Sequence, residues 1–258
     1  MTTLGALISR IVVWDIRSVK GWEMARGCWR IASGLLLVPV AVAGLSGCSK
    51  GTNSAAASAS GKTSSNGALT AERLRAALLT RVNGVAAAAP ASSGKYASLP
   101  GASTGEKAVS ALQVTPKACS GAATAGFDPT ALAGAPAAAV TFRVGTNGVS
   151  EVLIASSAKS ASTALAGHVP AECTRYEEKV EGKTFTYGIK EQAITGIGKQ
   201  ARVLNVQADG SKVDNLWSLI YRGVGFVGTV TVVGPNASEK AVQELGQQAY
   251  AFAAKSLS

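Results

Sequence analysis

Apolar and polar residues alternate from about Ala138 onward, the two-residue period of a strand with one buried face. The run AVTFRVGTNGVSEVLIAS, residues 139–156, is two such strands around Thr146-Asn147-Gly148, and Asn-Gly is a strong hairpin signal. Strands are predicted at about 174–180, 183–189 and 201–208, the second carrying Phe185 and Tyr187 on one face. Residues 213–222 and 224–233 read as a further hairpin, turned at Arg-Gly-Val-Gly. Three segments follow the helical period instead. Thr70 caps a predicted helix running to about Val82, with Glu72 in its first turn and Leu74, Leu78 and Val82 as its buried stripe. Residues 157–167 form a short amphipathic helix, ended by Gly167 and Pro170. Asn236 and Glu239 make a capping box for a last helix that buries Val242, Leu245, Ala249 and Phe252 and places Lys255 at its C-terminal end. Residues 84–137 are dominated by small residues and prolines, with one short helix expected around 104–112 on the spacing of Val109 and Leu112. Hairpins imply antiparallel pairing. The expected fold is therefore α+β: an antiparallel β-sheet with helices packed on one face, in a single domain over 69–258.

The amino-terminal pattern is of another kind. Residues 31–47, IASGLLLVPVAVAGLSG, carry no charge and follow Arg26 and Arg30, as in a secretory signal. Leu45-Ser46-Gly47-Cys48 resembles the bacterial lipobox, in which the cysteine thiol receives diacylglycerol and the chain is cut just before it. Cys48 is the expected lipidated residue and 1–47 the expected signal peptide, with palmitate the expected kind of acyl chain. Asp15 and Glu23 are foreign to a basic n-region, so Met24 is the expected start. The alternatives are a long n-region and an uncleaved membrane helix. The run has about 17 apolar residues, interrupted by Gly34, Pro39 and Gly44, against the ~20 needed to span. Residues 48–68 hold almost no large apolar residue and read as a flexible tether of roughly 25 Å reach.

Composition changes this picture in one respect. The net charge of +10 raises the question of nucleic acid. Residues 1–47 hold five basic and two acidic residues, leaving 20 basic against 13 acidic beyond them, scattered rather than clustered. Nucleic-acid binders concentrate such charge, so no nucleic-acid partner is expected. Diffuse attraction to anionic head groups fits better.

Candidate chemistry is thin. Of four cysteines, Cys28 leaves with the signal and Cys48 is acylated. Cys119 and Cys173 remain for an oxidising compartment, where a disulfide closing about 55 residues contributes about 4 kcal/mol; two free buried thiols are the alternative. No CxxC occurs and His168 is the only histidine, so neither a metal site nor a cofactor is expected. His168 follows a helix-ending glycine and reads as a solvated loop residue. Gly223-Val-Gly-Phe-Val-Gly228 matches GxGxxG but runs into a strand rather than a helix, so it is expected to serve a hairpin. Glu177 and Glu178 point to opposite faces of a strand and read as a solvated edge. The aromatics of the C-terminal strands are mostly core; Tyr187, Trp217 and Tyr221 are the candidates to line a ligand cleft if part of the sheet is uncovered.

The pattern Leu-Thr-x-x-x-Leu-x-x-Ala-Leu-Leu-Thr at 69–80 is followed by Pro116-Lys-Ala-Cys119. Glu-Val-Leu at 151–153, Cys173, Gly196-Ile-Gly198 and a last strand–helix pair come after it. This order resembles the actinobacterial lipoproteins related to the extracellular sensor domain of PknH-type receptor kinases, over roughly residues 69–258. The resemblance implies an α+β sheet-and-helix fold with a cleft and internal disulfides, binding unknown extracellular ligands. Two departures stand out: cysteines suffice for one disulfide rather than two, and no kinase domain or second membrane segment is attached.

The sequence thus points to a lipid-anchored envelope protein on the outer face of the cytoplasmic membrane. Its domain is expected to be a non-enzymatic, sensor-like binding module for an extracellular small molecule, lipid or envelope protein. A lipid or glycolipid carrier is the alternative, and an envelope hydrolase the third reading.

Overall fold

Nine strands build one sheet in the computed structural model, which describes residues 68–102, 113–124, 130–180, 182–210 and 215–258. The elements in chain order are α1 (Ala71–Ala76), β1 (Arg81–Val82), β2 (Val85–Ala86), β3 (Ser92–Lys95), β4 (Gln113–Thr115), β5 (Pro136–Val144), β6 (Asn147–Ala155), α2 (Ala158–Ala166), β7 (Arg175–Val180), β8 (Lys183–Ile194), β9 (Gln200–Ala208), β10 (Asn215–Arg222), β11 (Phe226–Val233) and α3 (Glu239–Leu257). The sheet order is β3-β5-β6-β11-β10-β9-β8-β7-β4, and every neighbouring pair is antiparallel. β1 and β2 form a separate hairpin. The lipidated Cys48, the signal peptide, the tether and the helix expected at 104–112 lie outside the described residues.

The expected α+β architecture forms. α1 and α3 lie on one face of the sheet, where Leu74, Leu78, Val242 and Ala249 meet Val140, Leu153, Leu219 and Val230. The opposite face is covered as well: Ala161, Ala164 and Leu165 of α2 and the two cysteines pack with Ile154, Leu204, Ile220 and Val227. Both sides of the central strands are therefore apolar. β6, β9 and β11 read as nearly continuous buried runs, the pattern expected of strands covered twice.

Several local expectations shift. α1 is capped by Thr70, whose hydroxyl accepts from the Arg73 amide, but it ends at Ala76. Leu78 and Val82 are buried as expected, one from a turn and the other from β1. The cause is Asn83-Gly84, both at positive φ (49° and 79°), which closes the β1–β2 hairpin and pulls the chain out of the helix. The β5–β6 turn falls at Gly145-Thr146, Val144 pairing with Asn147, so Asn147 opens β6. Asn236 does not cap α3: its side chain donates to Thr146 Oγ1, and Ser238 caps instead, accepting from the Ala241 amide at 3.2 Å. Phe252 is 37% exposed, and the buried stripe runs through Gly246, Ala249 and Ala253. These small residues let α3 approach the sheet; a Cβ at position 246 would lie 2.8 Å from Leu219 Cδ1.

Candidate functional site

The α2 side of the sheet carries the polar cluster with the greatest chemical capacity. Ser157 caps α2 by accepting from the Ser160 amide, and Gly167 ends it. The chain beyond, Gly167 to Pro170, crosses the ends of β8 and β9. Residues 187, 189 and 191 of β8 share this face with 202, 204 and 206 of β9, by the register Glu191↔Leu204. Glu191 Oε2 accepts from the Val169 amide at 3.0 Å, and Oε1 bonds His168 Nδ1 at 2.9 Å. Arg202 Nη1 donates to the same Oε1 at 3.1 Å and to the Gly167 carbonyl. One strand over, Arg222 Nη1 donates to Ser162 Oγ in mid α2 at 2.8 Å.

The electrostatics follow from burial against pairing. Burial alone pushes the Glu191 carboxyl up, but the Val169 amide, His168 and Arg202 outweigh it and hold the group below the usual carboxylate range. Arg202 has a side chain only 6% exposed; burial lowers its affinity for a proton, and Glu191 opposes that. The guanidinium stays charged, so it needs partners, yet Nε and Nη2 have none among the described residues. The His168 ring is 73% exposed. It is the solvated loop histidine expected from sequence, but it belongs to a Glu–His–Arg network that the sequence did not announce. Among the described residues no serine, threonine or cysteine is bonded to the ring, and no group of three or more His, Cys, Asp or Glu could hold a metal ion.

Cys119 and Cys173 form the expected disulfide on this same face, with Cα atoms 5.3 Å apart. Each cysteine sits in a 3₁₀ turn of the form Pro-x-x-Cys: its amide donates to the Pro116 or Pro170 carbonyl, at 2.9 and 2.8 Å. The bridge thereby fastens the segment leading out of the Glu191 network to the segment that follows β4.

The three candidate cleft aromatics are not brought together. Tyr187 lies on the α2 side, stacked on Tyr176 with ring centroids 5.5 Å apart. Trp217 and Tyr221 lie on the α1/α3 side, since β10 alternates its faces, and Tyr221 is fully buried edge-on to Phe226 and Tyr250. The sheet itself separates them, so no single cleft takes all three. Glu177 and Glu178 do face opposite ways, but Glu178 is 2% exposed rather than solvated. β4 continues the sheet beyond β7, Val114 pairing with Glu178, and burial raises this carboxyl against the pull of a hydrogen bond with Tyr176. The glycines of 223–228 serve the β10–β11 hairpin, as expected. Gly228 has a further role: a Cβ there would lie 2.2 Å from Tyr221 Cζ, so only glycine lets that ring cross β11.

A second buried acid lies on the α1/α3 side. Glu151 is 1% exposed; its Oε2 accepts from the Leu79 amide at 2.8 Å. Its Oε1 and the Tyr221 hydroxyl have no partner among the described residues. Burial pushes the carboxyl up to about 8, the Leu79 amide opposing. Sequence patterning marked neither Glu151 nor Arg202. Each is the one charged residue of its strand and is followed by an apolar pair, Val152-Leu153 or Val203-Leu204, and that context is the signal available.

No family model matches the sequence, and no curated protein matches it. Among solved structures the chain is similar to the extracellular domain of PknH from Mycobacterium tuberculosis, at 16% identity and a TM-score of 0.47, covering 74% of this chain and 98% of that one. It is also similar to an uncharacterized protein of Mycobacterium smegmatis, the Rv0999 ortholog, at 16% identity and a TM-score of 0.37, covering 66% of this chain and 86% of that one. The first is the extracellular domain whose relatives the sequence resembles.

Proposed function

We propose that this chain is a lipid-anchored protein of the cell envelope whose domain binds an extracellular ligand without transforming it. The carrying observation is the Glu191–Arg202 network: a buried, charged guanidinium with donors unsatisfied by the described chain is the equipment of a binding site. A nucleophile–base pair, which catalysis at His168 would need, is not among the described contacts of that ring. The Cys119–Cys173 bridge supports residence in an oxidising compartment outside the cytoplasm. The lipobox at 45–48 supports anchoring through Cys48, with the membrane as first partner and an extracellular small molecule, lipid or envelope protein as second.

The anchor is tested by expressing the full chain and its Cys48→Ser variant with an alkyne palmitate analogue. Label and detergent-phase partitioning are expected for the parent and neither for the variant; equal labelling of both defeats the assignment. Native mass spectrometry of the purified chain tests the binding role. A stoichiometrically bound molecule other than the anchor supports it, an acyl lipid whose chains are enclosed by the domain narrows it to a carrier, and a clean apo spectrum counts against it.

A further inference from the structure

Arg202 has more donors than the described residues give it acceptors. Nη1 is spent on Glu191 and the Gly167 carbonyl; Nε and Nη2 have no partner among the described residues, in a side chain only 6% exposed. Those two nitrogens form the edge of the guanidinium whose N–H bonds run parallel, the edge that grips two oxygens of one oxyanion. Trigonal geometry turns this edge away from Nη1, and therefore away from Glu191. The strand order β8-β9-β10 puts Glu191 on one flank of Arg202 and β10 on the other. Ile220 is directly opposite Arg202, so Ser218 and Arg222 are its two diagonal neighbours on that face, roughly 7–8 Å away. Helix α2 gives the same spacing independently. Arg222 reaches Ser162 and Arg202 reaches Gly167, five residues further along, a rise of roughly 7.5 Å. Ser218 adds a hydroxyl, shared with Thr231 at 3.0 Å. Glu191 and His168 thus stand on one flank of Arg202, and Arg222 and the Ser218 hydroxyl on the other.

We propose that the buried seam between α2 and strands β9–β10 is an oxyanion site, which takes a phosphate group bidentate on Arg202 Nε and Nη2 with Arg222 as the second cation. This names the ligand chemistry of the binding domain proposed above and rests on that reading. The unpartnered edge is buried, so a phosphate enters by parting the segment Gly167–Pro170 from the sheet. Glu191 fastens that segment through the Val169 amide and competes with the incoming anion for Arg202. Glutamine in its place removes the charge and leaves one acceptor oxygen for what two oxygens now accept, so it frees Arg202 and loosens the Gly167–Pro170 segment, and both effects favour the ligand.

The test is calorimetric titration of the full chain in a phosphate-free non-ionic detergent, with inorganic phosphate in one arm and a water-soluble short-chain phosphatidylglycerol in the other. The parent is expected to bind in at least one arm, and that arm identifies the source of the phosphate. Arg222→Gln is expected to weaken binding about tenfold, the loss of one charge-assisted contact. Glu191→Gln is expected to tighten it several-fold, and Arg202→Lys, which keeps the charge but loses the fork, to abolish the bidentate mode. Arg222 and Glu191 are only partly buried, so their variants decide the matter even if Arg202→Lys fails to fold. No heat in either arm, or a Kd unmoved by both Arg222→Gln and Glu191→Gln, overturns the proposal. If a neutral molecule is found bound by mass spectrometry while phosphate is not, the oxyanion site falls and the binding reading survives. If neither is bound, both fall.

Discussion

Replacing Glu151 by glutamine is expected to stabilise the protein at neutral and alkaline pH and to remove a pH slope from its stability. The carboxyl faces the Leu79 amide after α1, Tyr221 on β10 and, beyond that hydroxyl, Tyr250 on α3; none of these is a cation. Burial holds it protonated up to about 8 in the folded state, against 4.5 when free. Below 4.5 both states carry the proton and the group is neutral in the balance. Between 4.5 and about 8 the unfolded chain has released the proton while the folded chain keeps it, so stability falls as pH rises. The slope is about 1.4 kcal/mol per pH unit, on the order of 5 kcal/mol over the window and about 3 kcal/mol by pH 7. Glutamine keeps an acceptor for the Leu79 amide and carries no charge to bury. In a domain of this size about 1 kcal/mol moves the melting temperature by about 2–4 °C. The variant should therefore melt roughly 6–12 °C above the parent at pH 7 and converge on it near pH 4.5. Glu178, also raised by burial, tilts both proteins the same way. Glu191 and Glu72, held low, withdraw stability from both only in acid. The difference between the two curves isolates position 151. Urea unfolding followed through Trp217 fluorescence at pH 5, 6, 7 and 8 measures it. Parallel curves across that range would refute the account of Glu151 as a neutral buried acid.

Other outcomes follow from single contacts. The double change Cys119→Ser, Cys173→Ser releases a 54-residue separation and should cost about 4 kcal/mol, read as a lower urea midpoint; a midpoint within error of the parent would mean the two 3₁₀ turns hold without the bridge. Gly228→Ala drives a methyl into the Tyr221 ring and should cost about 3 kcal/mol or more, whereas Gly246→Ala meets only the movable end of Leu219 and gains helix propensity, so its net effect should stay within about 1 kcal/mol. Equal losses in melting scans of the two variants would contradict this ranking. Ser238→Ala should cost about 1 kcal/mol as the true cap of α3, and Glu239→Gln almost nothing.

The sequence located strands well and turns poorly, for physical reasons. Alternation placed β5 through β11 because strand residues must take sides, but it underrates a sheet covered on both faces, where polar and apolar positions no longer separate. β8 extends to Ile194, beyond the predicted 189, and Arg202 gave no signal of a site within the predicted strand 201–208. α1 was read too long because Leu74, Leu78 and Val82 keep helical spacing even though a turn and a strand deliver the last two; the Asn83-Gly84 signal outweighed that spacing. Phe252 keeps helical spacing with Leu245 and Ala249 but falls at the edge of the buried stripe, whose centre runs through the small residues at 246, 249 and 253. The disulfide was legible from cysteine count and compartment. The proximity of His168, Glu191 and Arg202 was not, since it depends on a register between β8 and β9 that only the folded sheet sets.

Adjacent residues of β6 show how one strand serves two chemistries. Glu151 points toward α1 and α3, where it is held neutral in an apolar layer; Ser150 points the other way, opposite Thr231, which is opposite Ser218. That row of hydroxyls, all three buried, ends at Ser218, a diagonal neighbour of Arg202. Because the side-chain period is two, a slip of one residue in β6 would exchange the layers, setting Glu151 into the hydroxyl row and Ser150 under Leu79. The Gly145-Thr146 turn fixes β6 against β5, and the Asn236 side chain ties Thr146 to the start of α3. The same constraint therefore keeps the acid on the helical side neutral and keeps a negative charge out of the row that faces the arginines. An oxyanion site there depends on both, since a carboxylate in place of Ser150 would compete with the ligand as Glu191 already does.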